Sequence, residues 1–127
     1  MSETVIAREA AEEMIKLWCD ELDTDNQPQE VFVKAVMQGR VDFDESDEVF
    51  TVTLKKPIAQ ENGEYITSIK ISEPTAGQIQ ESSKGTKDDF VMTIRLLSKV
   101  SGKPVGIIDR LKKRDLEVLG EAFGFFS

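Results

Sequence analysis

The chain has no histidine and a single cysteine, Cys19. Without histidine the usual general base near neutral pH is missing, and so is the commonest metal ligand. Ser-His-Asp and Cys-His triads are excluded, as is an ordinary Cys/His zinc site, and no cofactor is expected. One cysteine cannot close an intramolecular disulfide, which fits a reducing compartment. No apolar run approaches the ~18 residues of a membrane span. The opening Met1-Ser2-Glu3-Thr4 lacks the basic flank and apolar stretch of a secretory signal, so a cytosolic protein with no membrane partner is the expectation. Positive charge is scarce too, with 16 Lys and Arg against 24 Asp and Glu and a net charge of −8. A duplex-binding surface must offset phosphate charge with clustered Lys and Arg. The basic cluster here, Arg110, Lys112, Lys113 and Arg114, is flanked by Asp109 and Asp115. It reads as a solvated helix end, and nucleic acid is not expected as a partner.

Phosphate-cradling glycines are also lacking. Gly102-Lys103-Pro104 has no glycines before it at Walker spacing. Two acidic stretches resemble calcium loops only in their first residues. Asp23-Thr24-Asp25-Asn26-Gln27 runs into Pro28 where the loop needs glycine, and Lys34 stands where it needs glutamate. Asp42-Phe43-Asp44-Glu45-Ser46 has Asp47 and Thr53 at those places. No metal site is expected, since turns favour Asp and Asn for their own hydrogen bonding. The acidic pairs Glu12-Glu13 and Asp88-Asp89 are adjacent, and adjacent residues on a helix do not share a face. Nothing in the chain points to an enzyme.

What is present is enough for one domain: 127 residues, 39% hydrophobic and 31% charged. Ala7, Ala10, Ala11, Met14, Trp18 and Leu22 recur at three- and four-residue steps and predict a helix from Val5 to Leu22. Glu12 and Lys16 on its other side are ordered for an i,i+4 pair. Pro28 suits the first turn of a second helix, which ends near Gln38 with Gly39 as its left-handed stop. The pattern then turns to period two. Val41 and Phe43, then Phe50, Val52 and Leu54, predict two strands joined by a Glu45-Ser46-Asp47 turn. Pro57 is expected to end the second strand. Asn62-Gly63 predicts a turn into a third strand with Tyr65, Thr67, Ile69 and Ile71 on one face. Thr75 and Gln78 form a capping-box pattern, as do Thr86 and Asp89 before a helix with Phe90, Val91, Ile94, Leu96 and Leu97 on its apolar side. Ser101-Gly102 stops that helix, and Pro104 opens a short turn of helix. A last helix starts near Lys112, with Asp115 complementing its positive end and Val118, Leu119, Ala122 and Phe123 as its stripe. The expected fold is α+β: an N-terminal helical arm over 1–40, then a domain over 41–127 with a three-stranded antiparallel meander and C-terminal helices on one face.

Two sets of side chains stand out as contact residues. Phe123, Phe125 and Phe126 crowd the C-terminus. Together with Leu119 they are either a surface for a partner or a plug that docks on the sheet and closes the core. Met14 and Trp18 on the first helix are the candidates for self-association into a homo-oligomer. Cys19 falls on the polar side of that helix and, with no second cysteine, reads as inert.

One longer pattern runs from the second strand onward. It begins with Val52-Thr53-Leu54-Lys55-Lys56-Pro57-Ile58 and passes through Asn62-Gly63-Glu64. The most distinctive piece follows, a strand ending in Glu73-Pro74-Thr75-Ala76-Gly77. Beyond the Phe90–Val100 helix come Ser101-Gly102-Lys103-Pro104, Ile108-Asp109-Arg110-Leu111 and Asp115, with Leu119 and Phe123 further on. In order and spacing this stretch resembles the tail assembly chaperone family of Mu-like and related contractile-tailed phages. The resemblance implies a non-enzymatic protein of the host cell cytoplasm that binds the tape-measure protein. Such a protein keeps the tape measure soluble until tube subunits polymerise around it, and it is absent from the mature virion. In this family a longer form often arises by ribosomal frameshifting, and Gly124-Phe125-Phe126 is where slippery codons would lie. That longer form would bring the tail tube protein in as a further partner. The other readings are a small structural or adaptor subunit retained in the tail, and an acidic regulatory binder.

Overall fold

A computed structural model describes residues 5–126. Met1–Thr4, the stretch searched for a secretion signal, and Ser127 lie outside the described residues. Two helices come first, α1 (Arg8–Glu21) and α2 (Glu30–Met37). Three strands follow, β1 (Val41–Asp44), β2 (Val49–Ala59) and β3 (Tyr65–Ser72). Helices α3 (Ala76–Ser82), α4 (Asp89–Ser101), α5 (Val105–Ile108) and α6 (Lys113–Gly124) complete the chain. The strands form an antiparallel sheet in the order β1-β2-β3, with Phe43 opposite Phe50 and Val52 opposite Ile69. The α+β meander read from the sequence is the fold. Helices α4 and α6 pack against the sheet, and α2 packs against both α6 and β1.

The core forms around the one tryptophan. Trp18 of α1 meets Phe32 of α2, Phe43 of β1, Phe50 of β2 and Phe125, with ring centroids 6.4, 6.3, 5.6 and 6.4 Å away. Three of these four contacts are edge-on, the geometry aromatic quadrupoles favour. Such pairs add about 1 kcal/mol each beyond the area they bury. Ala11, Ile15 and Trp18 from α1 and Phe32, Val33, Ala35 and Val36 from α2 thus share one hydrophobic cluster with the sheet and α6.

Several local expectations hold for the reasons given. Gly39 follows α2 at φ +73° and Gly102 caps α4 at φ +72°, both left-handed. Thr75 Oγ1 accepts from Gln78 N at 3.1 Å while Gln78 Oε1 accepts from Thr75 N at 2.9 Å, a complete capping box. The turn after β1 runs on to Glu48, itself left-handed at φ +54°, and Asp44 Oδ1 accepts from Ser46 N and Asp47 N. That aspartate therefore serves the turn. The helix before Gly102 is capped by Asp88, not Thr86. The Asp88 carboxylate accepts from Phe90 N and Val91 N, and Thr86 Oγ1 holds the Asp88 amide. Pro28 lies ahead of the first turn of α2, whose cap position is Gln29. Glu12 faces Arg8 at 3.7 Å, one turn toward the N-terminus, in place of the expected Lys16.

The largest departure is in β2, which continues past Pro57. Between the pairs Thr53–Ser68 and Ile58–Ile66, β2 carries four residues where β3 carries one. This bulge holds Pro57 where no ladder hydrogen bond needs its missing N–H. Opposite it, the side-chain alternation of β3 slips by one. Ile66, Ile69 and Ile71 are buried while Tyr65 and Thr67 face water. The single face expected for Tyr65, Thr67, Ile69 and Ile71 is lost because a register slip exchanges the faces of a strand.

Candidate partner-binding surface

The C-terminal candidates divide by depth. Leu119 and Phe125 are 0% and 1% exposed. The Phe125 ring lies 5.1 Å from that of Phe50 and 5.4 Å from that of Phe32, so contact with a partner would require the end of α6 to leave the sheet. Phe123 and Phe126 are half-buried. Phe126 turns its ring edge-on to Phe50 at 5.8 Å and borders a groove lined by the acidic Glu21, Asp23, Glu48 and Glu73 together with Leu22 and Phe125. On α1, Trp18 is in the core and Met14 is half-buried. The two candidate sets meet inside the molecule, since Trp18 and Phe125 touch.

Other apolar side chains are more exposed than any of these. Phe90 at the start of α4 is 62% exposed, Ile79 on α3 50% and Tyr65 at the start of β3 64%. Phe90 was expected on the apolar side of its helix, where Ile94 and Leu97 are indeed buried. Cys19 is half-buried and its Sγ donates to Asn26 O at 3.3 Å. Burial pushes its thiol pKa up, and the charges of Asp20 and Asp25 add to the shift. Among the described residues, no group of three or more acidic or cysteine side chains is arranged to hold a metal ion, and no helix is long and apolar enough to cross a membrane.

The most elaborate polar arrangement centres on Asp115, in the first turn of α6 and 1% exposed. Its Oδ1 accepts from Lys55 N at 2.9 Å and from Arg40 Nη2 at 3.1 Å, and its Oδ2 accepts from Lys56 N at 3.0 Å. The β2 bulge leaves these two amides without strand partners, and a buried amide must be satisfied somewhere. A buried carboxylate needs the same donors and a countercharge. Arg40 supplies that charge and also donates to Thr53 O and Gln38 Oε1. The clasp ties α6, the bulge and the entry to β1 together. Sequence reasoning found Asp115 but assigned it only to the helix end. The missed signal is its spacing with Val118, Leu119 and Ala122, which puts a carboxylate in the apolar stripe.

A family model described as phage tail assembly chaperone proteins, E, or 41 or 14, matches residues 51–127. The chain belongs to this family. The match spans most of β2, all of β3 and every helix after it, so the clasp between Asp115 and the bulge lies within the chaperone region. So does the Glu73–Gly77 corner, whose Thr75 closes the capping box of α3. Helices α1 and α2 and strand β1 lie outside the match but share its core. No curated protein and no solved structure matches the chain. As a tail assembly chaperone the protein has partners among the proteins of phage tail assembly, and it acts during assembly in the host cell.

Proposed function

We propose that this chaperone binds the tape-measure protein and keeps it soluble until the tail tube polymerises around it. Membership of the family carries this reading. The physical need is general. A long helical protein exposes apolar stripes that self-associate unless covered. A partner with a net charge of −8 would both cover such stripes and keep the complex dispersed by like-charge repulsion. Phe123 and Phe126 are the tail aromatics within reach of a client, with Leu119 and Phe125 as the packed layer behind them. For self-association the accessible residue is Met14, with Trp18 behind it. The protein works by contact surface without bond-making chemistry, and it leaves before the particle is complete. A frameshifted longer product would add a contact to the tail tube protein.

The test is co-expression with a tape-measure fragment. The fragment is expected in the soluble fraction with the wild-type chain and less so with Phe126→Ser, whose fold is checked by tryptophan emission. A fragment equally insoluble with and without the chain overturns the reading.

A further inference from the structure

We propose that the face around the β2 bulge is a docking site for a carboxylate-rich segment of a client protein. In a regular strand, consecutive side chains point to opposite faces. At the bulge Lys55, Lys56 and Pro57 are all exposed, because the backbone there is held by the Asp115 carboxylate instead of the ladder. The two lysines therefore both reach solvent. Lys55 lines a groove of about 340 Å³ with Lys34, Arg40 and Arg114. Lys56 lines a second groove with Arg110 and Lys112, floored by Pro57, Ile58 and Leu111. These two grooves collect nearly half of the 16 basic residues of an acidic chain.

The acidic residues in the grooves, Glu30 beside Lys34 among them, offset this charge only in part. Glu30 is held by Arg8 and Glu117 by Lys113, which leaves Asp109. Among the described residues, none of Lys34, Lys55, Lys56, Arg110, Lys112 and Arg114 is in an ion pair. Six exposed like charges around two grooves repel one another, and a ligand bearing carboxylates relieves that repulsion. The apolar floor favours a protein segment over a nucleic acid. The patch lies apart from the acidic groove at Phe126, whose lining residues it does not share. The proposal rests on the tape-measure reading only for the identity of the client.

Fluorescence anisotropy with a labelled peptide of alternating glutamate and leucine tests the face directly, with a tape-measure fragment and a labelled DNA duplex in parallel. Wild-type protein is expected to bind the peptide, and affinity should fall as NaCl rises from about 0.05 to about 0.5 M. Lys55→Glu/Lys56→Glu and, separately, Arg110→Gln/Lys112→Gln should each weaken binding about tenfold with unchanged tryptophan emission. Reversal at Lys99, outside both grooves, should have no effect. Peptide binding that ignores salt and these substitutions overturns the proposal, as does tighter binding of the duplex than of the peptide. If the fragment binds but the substitutions leave its affinity unchanged, the face fails and the tape-measure reading stands. If the peptide binds as expected and the fragment does not, the face stands and that reading fails.

Discussion

Arg40 and Asp115 are 75 positions apart in the chain and meet at 3.1 Å inside the fold. The aspartate is enclosed, the arginine partly so, and two backbone amides of the bulge complete the carboxylate's shell. Asp115→Asn should destabilise the protein by about 3 kcal/mol, because Arg40 loses its countercharge and the new amide donates toward an N–H. Arg40→Met should cost less, since the carboxylate keeps both amide donors. Urea unfolding followed by tryptophan fluorescence separates the two, and equal stability of Asp115→Asn and wild type would remove the clasp from the account.

The tail aromatics differ in depth and should differ in energy. Phe125→Ala is expected to cost about 4 kcal/mol, since it empties space between Trp18, Phe32 and Phe50. Phe126→Ala, at a half-buried ring with one aromatic neighbour, should cost about 1 kcal/mol. Equal losses would mean that the C-terminal turn packs differently from the structure described.

Helix α4 provides a test of its cap. Asp88→Ala should lower stability by about 1 kcal/mol, because Phe90 N and Val91 N lose their acceptor. Thr86→Ala removes only the acceptor for the Asp88 amide and should cost less than half as much. The opposite order would return the cap to Thr86.

The fold was readable where one residue settles a local geometry. Gly39, Gly102 and the Thr75–Gln78 pair did so, and the period-two runs around Phe43, Phe50 and Val52 fixed the sheet. The bulge was not readable. Its geometry depends on Asp115, some sixty positions away in the chain, and no periodicity within β2 reveals a partner at that distance. The same bulge explains the misread face of β3. At the candidate surface, the aromatic tail was visible as composition, but which of its rings turn inward depends on Trp18 and Phe32. Asp23–Gln27 reads as a polar break in the sequence, and the packing of Trp18 on Phe50 and Phe125 across it was not legible there.

Cys19 should behave as a guarded thiol. Its folded pKa is raised, first by burial and then by Asp20 and Asp25. The native state thus holds the proton more tightly than the unfolded chain does. The stability this gives is complete below the unfolded pKa and is lost as pH climbs through the folded value. Disulfide-exchange reagents at mildly alkaline pH should modify native protein slowly and urea-unfolded protein fast. Equal rates would place the thiol in open solvent.

The central claim is that the chain accompanies the tape-measure protein during assembly and then departs. Quantitative mass spectrometry of tape-measure protein captured from assembling lysates, set beside purified mature particles, tests it most directly. The expected result is enrichment of this chain on the captured tape measure and its absence from the particles. Its presence in particles at the level of a tail subunit, or no enrichment on the tape measure, would contradict the account.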